Sequence, residues 1–477
     1  MEHQSHGKRF RVVRSIKPQQ QALWWVTFLR ASLCYGMGSL LFFVLGEYPT
    51  PAATLWVNPG ESIQAAIDLA DEGDTVKVWP GTYVEDIHYR GRNITVTSTN
   101  PEDPSVVTTT IIDGNRGGLM LSSASSVVTI DMGEGPDCVL AGFTVTKGFT
   151  YEGGGLHISS SSPTIRNCAI RANRVEMNSD IPRGLYGGYG GGVYCLDSSP
   201  ALTGCTIADN EARSLGLGAT RYAQGGGIFC SNSSVKVDHC TISGNEIGRY
   251  GGISLQDPPP GGGGVYCIGN SSLVLDGCFI SGNDAQIGAG VCIKSSSAIL
   301  TNCVIVENVA WTSLGSGEGH GGGAYISLST ATLTNCTIRG NQGSNSGGGE
   351  VDGIGVYTTG SDVHATNCIL WDNESDDVAG PSLPDLTYSC MQSLIPGVGN
   401  ISENPRFSYT YGLMSNSPCI DSGTEVALTE DIDGRPRPAD VPGIGRDGTG
   451  DEYDMGAYER PAPPEPPSGV SNWELLK

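Results

Sequence analysis

The sequence predicts an all-β chain: a right-handed single-stranded parallel β-helix, a solenoid closed at its N-terminal end by a short capping helix. Three observations carry this. A unit built on Asn-Cys-x-Ile with a later Asn recurs seven times, at Cys168, Cys205, Cys240, Cys278, Cys303, Cys336 and Cys368. A glycine cluster followed by a short apolar strand precedes most copies, as in Gly190-Gly191-Gly192-Val193-Tyr194-Cys195. Of 477 residues, 69 are Gly and only 16% are charged, which suits short strands and tight turns rather than helices. Internal repeats at a fixed period grow one continuous core, so length does not count domains here.

The chain divides into four stretches. Residues 1–53 combine a basic flank (Lys8, Arg9, Arg11, Arg14, Lys17) with an apolar run from Ala31 to Leu45 and small residues at Thr50, Ala52 and Ala53. That order reads as a cleaved signal peptide or an uncleaved membrane anchor, with the basic side cytoplasmic and the remainder exported. Residues 54–383 form the β-helix. Residues 384–460 form irregular last coils and a C-terminal cap, and 461–477 is a Pro-rich disordered tail.

Within the β-helix, Ser62 to Ala70 reads as an amphipathic helix, since Ile63, Ala66, Ile67 and Ala70 share one face. It would cover apolar core and strand edges at the open end. Val76–Trp79, Ile94–Thr97, Thr110–Ile112 and Val127–Ile130 read as the first strands. The repeat cysteines follow one another at 25 to 38 residues, enough for one coil each. Side chains alternate along a strand, so Val193 and Cys195 point inward and Tyr194 outward. Cys205 and Ile207 point inward and Thr206 outward. Coils about 4.8 Å apart bring equivalent residues into ladders. One such ladder is Asn173, Asn210, Asn245, Asn283, Asn308, Asn341 and Asn373, at a turn. Serine-rich corners (Ser161-Ser162-Pro163, Ser198-Ser199-Pro200) separate the two halves of each unit.

The periodic spacing of the cysteines argues for buried, mostly unpaired thiols, with stacked disulfides the alternative. No zinc pattern is present. Cys292 falls at the outward slot occupied by tyrosine elsewhere. Cys390 and Cys419 lie outside the ladder and could pair in the cap.

The segment Glu61-Ser-Ile-Gln-Ala-Ala-Ile-Asp…Gly73-Asp-Thr-Val-Lys-Val-Trp-Pro-Gly-Thr-Tyr-Val-Glu85 resembles the first coil of pectin-lyase-like right-handed β-helix proteins, pectin methylesterases included. The Gly-Gly-Gly-Val-Tyr and Asn-Cys-x-Ile-x-x-Asn units resemble the bacterial right-handed β-helix repeat family and, less closely, chlamydial polymorphic outer-membrane proteins. The ending Ser417-Pro-Cys-Ile-Asp-Ser-Gly423…Asp431-Ile-Asp-Gly-Arg-Pro-Arg437…Asp454-Met-Gly-Ala-Tyr-Glu459 is similar to the choice-of-anchor Q region of bacterial surface proteins. Together these resemblances span Trp56 to Glu459. They imply the fold and a cell-surface setting, not an activity.

A net charge of −23 disfavours nucleic acid as a partner. The esterase motif is missing. Of the polygalacturonase set only Asp376-Asp377 and His320-Gly321 occur, as isolated fragments. The reading therefore leans away from an enzyme. The segments between each ladder Asn and the next glycine cluster should emerge along one edge. They carry Arg183, Tyr186, Tyr189, Arg213, Arg221, Tyr222, Arg249, Tyr250, Trp311 and His320. Aromatic rings offer flat faces to sugars, and Arg offers planar donors to carboxylates. The competing account packs the aromatics onto the helix and pairs the arginines with Glu211, Glu246 or Asp257. Asp431-x-Asp433-Gly434, with Asp454 and Glu459, matches a fragment of a calcium loop; no other cofactor is expected.

The sequence thus predicts an exported, monomeric surface protein that binds glycans or other surface partners along a loop-lined edge. The alternatives are a polysaccharide lyase or glycoside hydrolase on the same scaffold, and a non-binding structural spacer.

Overall fold

A computed structural model describes residues 52–115, 125–178, 188–215, 223–248, 260–312, 319–345, 351–439 and 453–460, and the backbone of Val12–Val13. The chain winds into stacked coils whose strands join three long parallel sheets. In the coil after Gly227, Ile228–Ser231 belongs to one sheet, Ser234–Asp238 to the next and Thr241–Ser243 to the third. Equivalent strands pair in register with those of the next coil: Cys230 opposite Cys267, Val237 opposite Leu275, Ile242 opposite Ile280. A shorter fourth sheet follows the ladder asparagines, from Phe149–Thr150 to Gln342–Asn345. The inward residues form one core from Ala53 to Met391.

Each coil turns at corners of one design. A residue with positive φ precedes a short polar side chain that points inward. His239 (φ 48°) precedes Cys240, Gly244 (φ 62°) precedes Asn245, and Asn232 (φ 49°) precedes Ser233. Gly, Asn and Asp adopt that left-handed conformation most cheaply. The inward side chain then satisfies backbone groups that the bend leaves unpaired. In the serine corners the N–H of each Ser donates to the Oγ of its counterpart one coil on, at 3.1–3.3 Å from Ser161 to Ser361. The cysteine thiols behave alike. Each donates to the carbonyl two residues earlier at 3.3–3.5 Å. They are free and buried, as expected, but they hydrogen-bond as well as fill space. The expected asparagine ladder is present from Asn173 to Asn373, with amide-to-amide bonds of 2.9–3.0 Å.

The glycine clusters are set by close approach. A Cβ at Gly227 would lie 2.5 Å from the Gly264 carbonyl oxygen and 3.0 Å from Asn245 Nδ2. The expected N-terminal helix, α1, is Ile63–Leu69, with Ser62 as N-cap and Ile63, Ala66 and Ile67 buried. Glu85 also accepts from the Ile63 N–H at 2.7 Å, which pins α1 to the first coil. A second helix, α2 (Pro104–Thr109), was not anticipated. Asp103 caps it and Pro104 opens it, both ordinary helix-start residues. Among the described residues no helix is long and apolar enough to cross a membrane; the signal or anchor segment lies outside them.

The C-terminal cap region includes the described residues 399–439 and 453–460. They run back along the outside of the third sheet as a brace. Val304, Val306 and Ala457 share one apolar cluster. The corner asparagines 302, 335 and 367 donate to the carbonyls of Glu430, Asp454 and Thr424 at 2.8–2.9 Å.

Candidate functional site

The outward slot of the first sheet carries an aromatic ladder. His157, Tyr194, Phe229, Tyr266, Cys292, Tyr325 and Tyr357 stand in register, one per coil. Their rings stack because parallel strands repeat the same rotamer at nearly the strand spacing. Centroids are 5.1 Å apart for His157–Tyr194, 5.5 Å for Tyr194–Phe229, 5.9 Å for Phe229–Tyr266 and 5.6 Å for Tyr325–Tyr357. Cys292 takes the outward slot as expected and interrupts the run of rings. It is fully buried, beside Tyr266 and Ile287.

Beside this ladder runs a second, formed where the chain enters each glycine cluster. Glu152, Tyr189, Gln224, Gly261, Ile287 and His320 bridge in sequence, and His320 pairs with Asp352. The two ladders make one stripe along the helix axis. Its middle is closed: Tyr194, Phe229 and Tyr266 are almost fully buried. Its two ends are part-exposed, with Glu152, His157 and Tyr189 at one and His320, Tyr325, Asp352 and Tyr357 at the other.

The C-terminal end is the more elaborate. The His320 Nδ1 is bonded to an Asp352 carboxylate oxygen. Its ring stacks on Tyr357 with centroids 4.1 Å apart, and on Tyr325 at 6.3 Å. The imidazole is mostly buried, at 13% exposure, while Asp352 is 38% exposed. At the other end burial lowers the His157 pKa, which favours the neutral ring stacked on Tyr194. Burial raises the Glu152 carboxyl from its ordinary value.

Of the residues singled out from sequence, the structure joins Tyr189 and His320 to this stripe. Tyr189 stacks on Phe229 at 4.7 Å. Trp311 goes elsewhere. Its ring is 4% exposed, in a cluster with Val175, Ala212, Ile247 and Ala285 under the fourth sheet. It offers no open face, because the fourth sheet needs an apolar contact there. The Arg213 guanidinium is spent on Glu211, as the packing account expected. Arg183, Tyr186, Arg221, Tyr222, Arg249 and Tyr250 lie outside the described residues. Tyr325, Tyr357 and Asp352 were missed. The first two were findable, as copies of the outward Tyr194 slot.

The calcium candidates divide. Asp433 is at the surface, 3.0 Å from Arg435. Asp431, Asp454 and Glu459 are buried around Arg437, and their oxygens are already engaged. Asp431 accepts from the N–H groups of Asp433, Arg435 and Glu459. Asp454 accepts from those of Asp421 and Arg460. Glu459 accepts from Arg437 Nη1 at 2.8 Å. Among the described residues no group of three or more His, Cys, Asp or Glu is placed to hold a metal ion.

The family model described as "Right handed beta helix region" matches residues 85–370, more than half of the chain. Among solved structures the chain is similar to the pectate lyase Pel9A, at 14% identity and a TM-score of 0.40, over 85% of this chain and 96% of that one. It is also similar to the PL6 family alginate lyase AlyGC, at 11% identity and a TM-score of 0.27, over 76% of this chain and 55% of that one. No curated protein matches.

Proposed function

The chain belongs to the right-handed β-helix family, and from that premise we propose that it is an exported or cell-surface protein that binds glycans along the aromatic stripe. The observation that carries this is the stacked, part-exposed ring set at the C-terminal end of the stripe: His320, Tyr325 and Tyr357 beside the Asp352 carboxylate. Rings stacked in register cover one another's faces and hold a fixed, part-exposed edge, which loses little entropy on meeting a sugar. A carboxylate at the rim can accept from sugar hydroxyls. The two part-exposed ends lie about 30 Å apart along the helix axis, at one rung per coil, and each end offers its own contact to a sugar unit. Surface attachment through the N-terminal segment, a monomeric state and the likeness of the ending to choice-of-anchor Q regions complete this reading.

A glycan array with the full chain tests it, with each bound polysaccharide assayed for cleavage in the same wells. Binding without cleavage is the expected result, with affinity falling about tenfold for Tyr325→Ala or Tyr357→Ala, as loss of one aromatic contact of about 1.4 kcal/mol requires. Silence across the array would sink the proposal and leave a structural spacer. The second reading, a polysaccharide lyase or hydrolase, draws on the His320–Asp352 pair, since a carboxylate-oriented imidazole can move protons. Cleavage abolished by His320→Gln would select it.

A further inference from the structure

We propose that Cys390 and Cys419 form a modification site, a thiol pair that closes into a disulfide and locks the C-terminal brace to the last coil. Cys390 pairs with Ile369 on the third sheet. Its neighbour Met391 faces the core of the solenoid, whereas Cys390 itself faces the brace. Its thiol donates to the carbonyl of Glu403 at 3.3 Å. Cys419 arrives from the brace. Both are fully buried in one apolar cluster with Ile369, Leu413, Ile420 and Met455, which brings a thiol of the last coil and a thiol of the brace into the same pocket of core. Cys419 is also a node of the brace, since its carbonyl accepts from the Met455 N–H at 3.0 Å. One bond between the two sulfurs would therefore tie together the last coil, the strand-poor segment after it and the chain end near Met455.

The ladder thiols do not offer the same chemistry. They sit in register on parallel strands, so their β-carbons are separated by about the 4.8 Å strand spacing, against about 3.8 Å in an unstrained disulfide. Cys390 and Cys419 come from non-equivalent segments, free of that register.

The oxidant is a small-molecule disulfide. One cysteine thiolate attacks it, forming a mixed disulfide and releasing one thiol. The second thiolate attacks the protein sulfur of that mixed disulfide and expels the second thiol. The protein loses two hydrogens and two electrons, and the reagent gains them. The neighbouring Cys390 thiol, together with burial, holds the Cys419 thiol well above its ordinary pKa. Attack therefore belongs to moments when the brace is open, during folding or local opening.

The test uses the full chain refolded in a glutathione redox buffer, then denatured without reductant, alkylated and mapped by mass spectrometry. The expected result is that all but two of the 15 cysteines are alkylated, with one peptide pair joined through Cys390 and Cys419. The crosslinked chain should melt several degrees higher than its reduced form. That difference should vanish in Cys390→Ser and in Cys419→Ser, with the double variant no worse than either. Complete alkylation, or joined peptides from the ladder cysteines, would overturn the proposal, and this readout needs no variant to fold. A Cys390–Cys419 link with no gain in melting temperature would overturn the lock.

Discussion

Asn245 takes part in four side-chain hydrogen bonds. Its amide donates to the Ile207 carbonyl at 2.9 Å and to Asn283 Oδ1 at 3.0 Å. Its oxygen accepts from the Asn210 N–H at 3.1 Å and the Asn210 amide at 3.0 Å. Replacing it with Ala leaves several buried groups unpaired at once. The cost should be about 3 kcal/mol in urea unfolding, the penalty of unsatisfied buried polar groups. Cys240→Ser should cost far less, about 1 kcal/mol, because a hydroxyl can keep the bond to the Asp238 carbonyl and loses only some packing. Equal losses in the two variants would contradict the view that both ladders work as hydrogen-bonded corners. These ladders were legible in the sequence because a fixed period repeats both the residue and its neighbours. The inward or outward sense of Val193, Tyr194 and Cys195 followed from strand alternation alone. The pairing of His320 with Asp352 was not legible. The two are 32 residues apart, and only the stacking of adjacent coils brings them together.

At the scale of elements, the brace and the glycine clusters carry the sharpest consequences. Arg437 and Glu459 are paired at 2.8 Å and almost fully buried. Arg437 also donates to the carbonyls of Asp454 and Gly456 at 3.2 and 2.8 Å. Arg437→Met would leave the buried carboxyl groups of Asp431, Asp454 and Glu459 without their cation. It should destabilise the brace by about 4 kcal/mol, typical of breaking one side of a buried pair. Burial and the Glu459 charge push the Asp454 carboxyl up to about 8, and burial pushes Glu459 up to about 7. The folded brace thus holds protons that the unfolded chain releases in the ordinary carboxylate range. Their stabilisation is complete below that range and is lost as pH rises towards 7 and 8. Amide exchange of residues 419–437 and 453–459 should accordingly quicken from about pH 4 to pH 8 beyond its intrinsic base catalysis, and follow that catalysis alone above pH 8. An exchange rate that only follows intrinsic chemistry would refute this. In the glycine clusters, Gly227→Ala should cost about 2 kcal/mol in thermal unfolding, since the added carbon meets backbone of the next coil. The N-terminal helix was legible from its apolar spacing. The lateral run of the brace was not, because its contacts depend on corner side chains that any β-helix could direct to solvent.

At the scale of the molecule, the solenoid is a rigid rod that repeats one surface pattern every coil. Repetition turns a weak local preference, one outward aromatic, into a stripe of rings broken at Cys292 and part-exposed at its ends. The binding we propose would use this stripe: it arises from a repeat whose first purpose is folding, and it leaves stacked rings part-exposed at its two ends. Of the residues read from sequence as lining one edge, Tyr189 and His320 lie on the stripe. That reading misplaced Trp311, because a large apolar ring on an insertion reads the same whether it faces a ligand or fills a gap. The most direct test of the central claim is hydrogen exchange of the full chain with and without a polysaccharide that it binds. The account predicts protection confined to residues 319–325 and 351–357, with a weaker echo at 152–157 and 188–194. Protection centred instead on the serine corners near Ser271, Ser296 and Ser329, or on the brace, would contradict it.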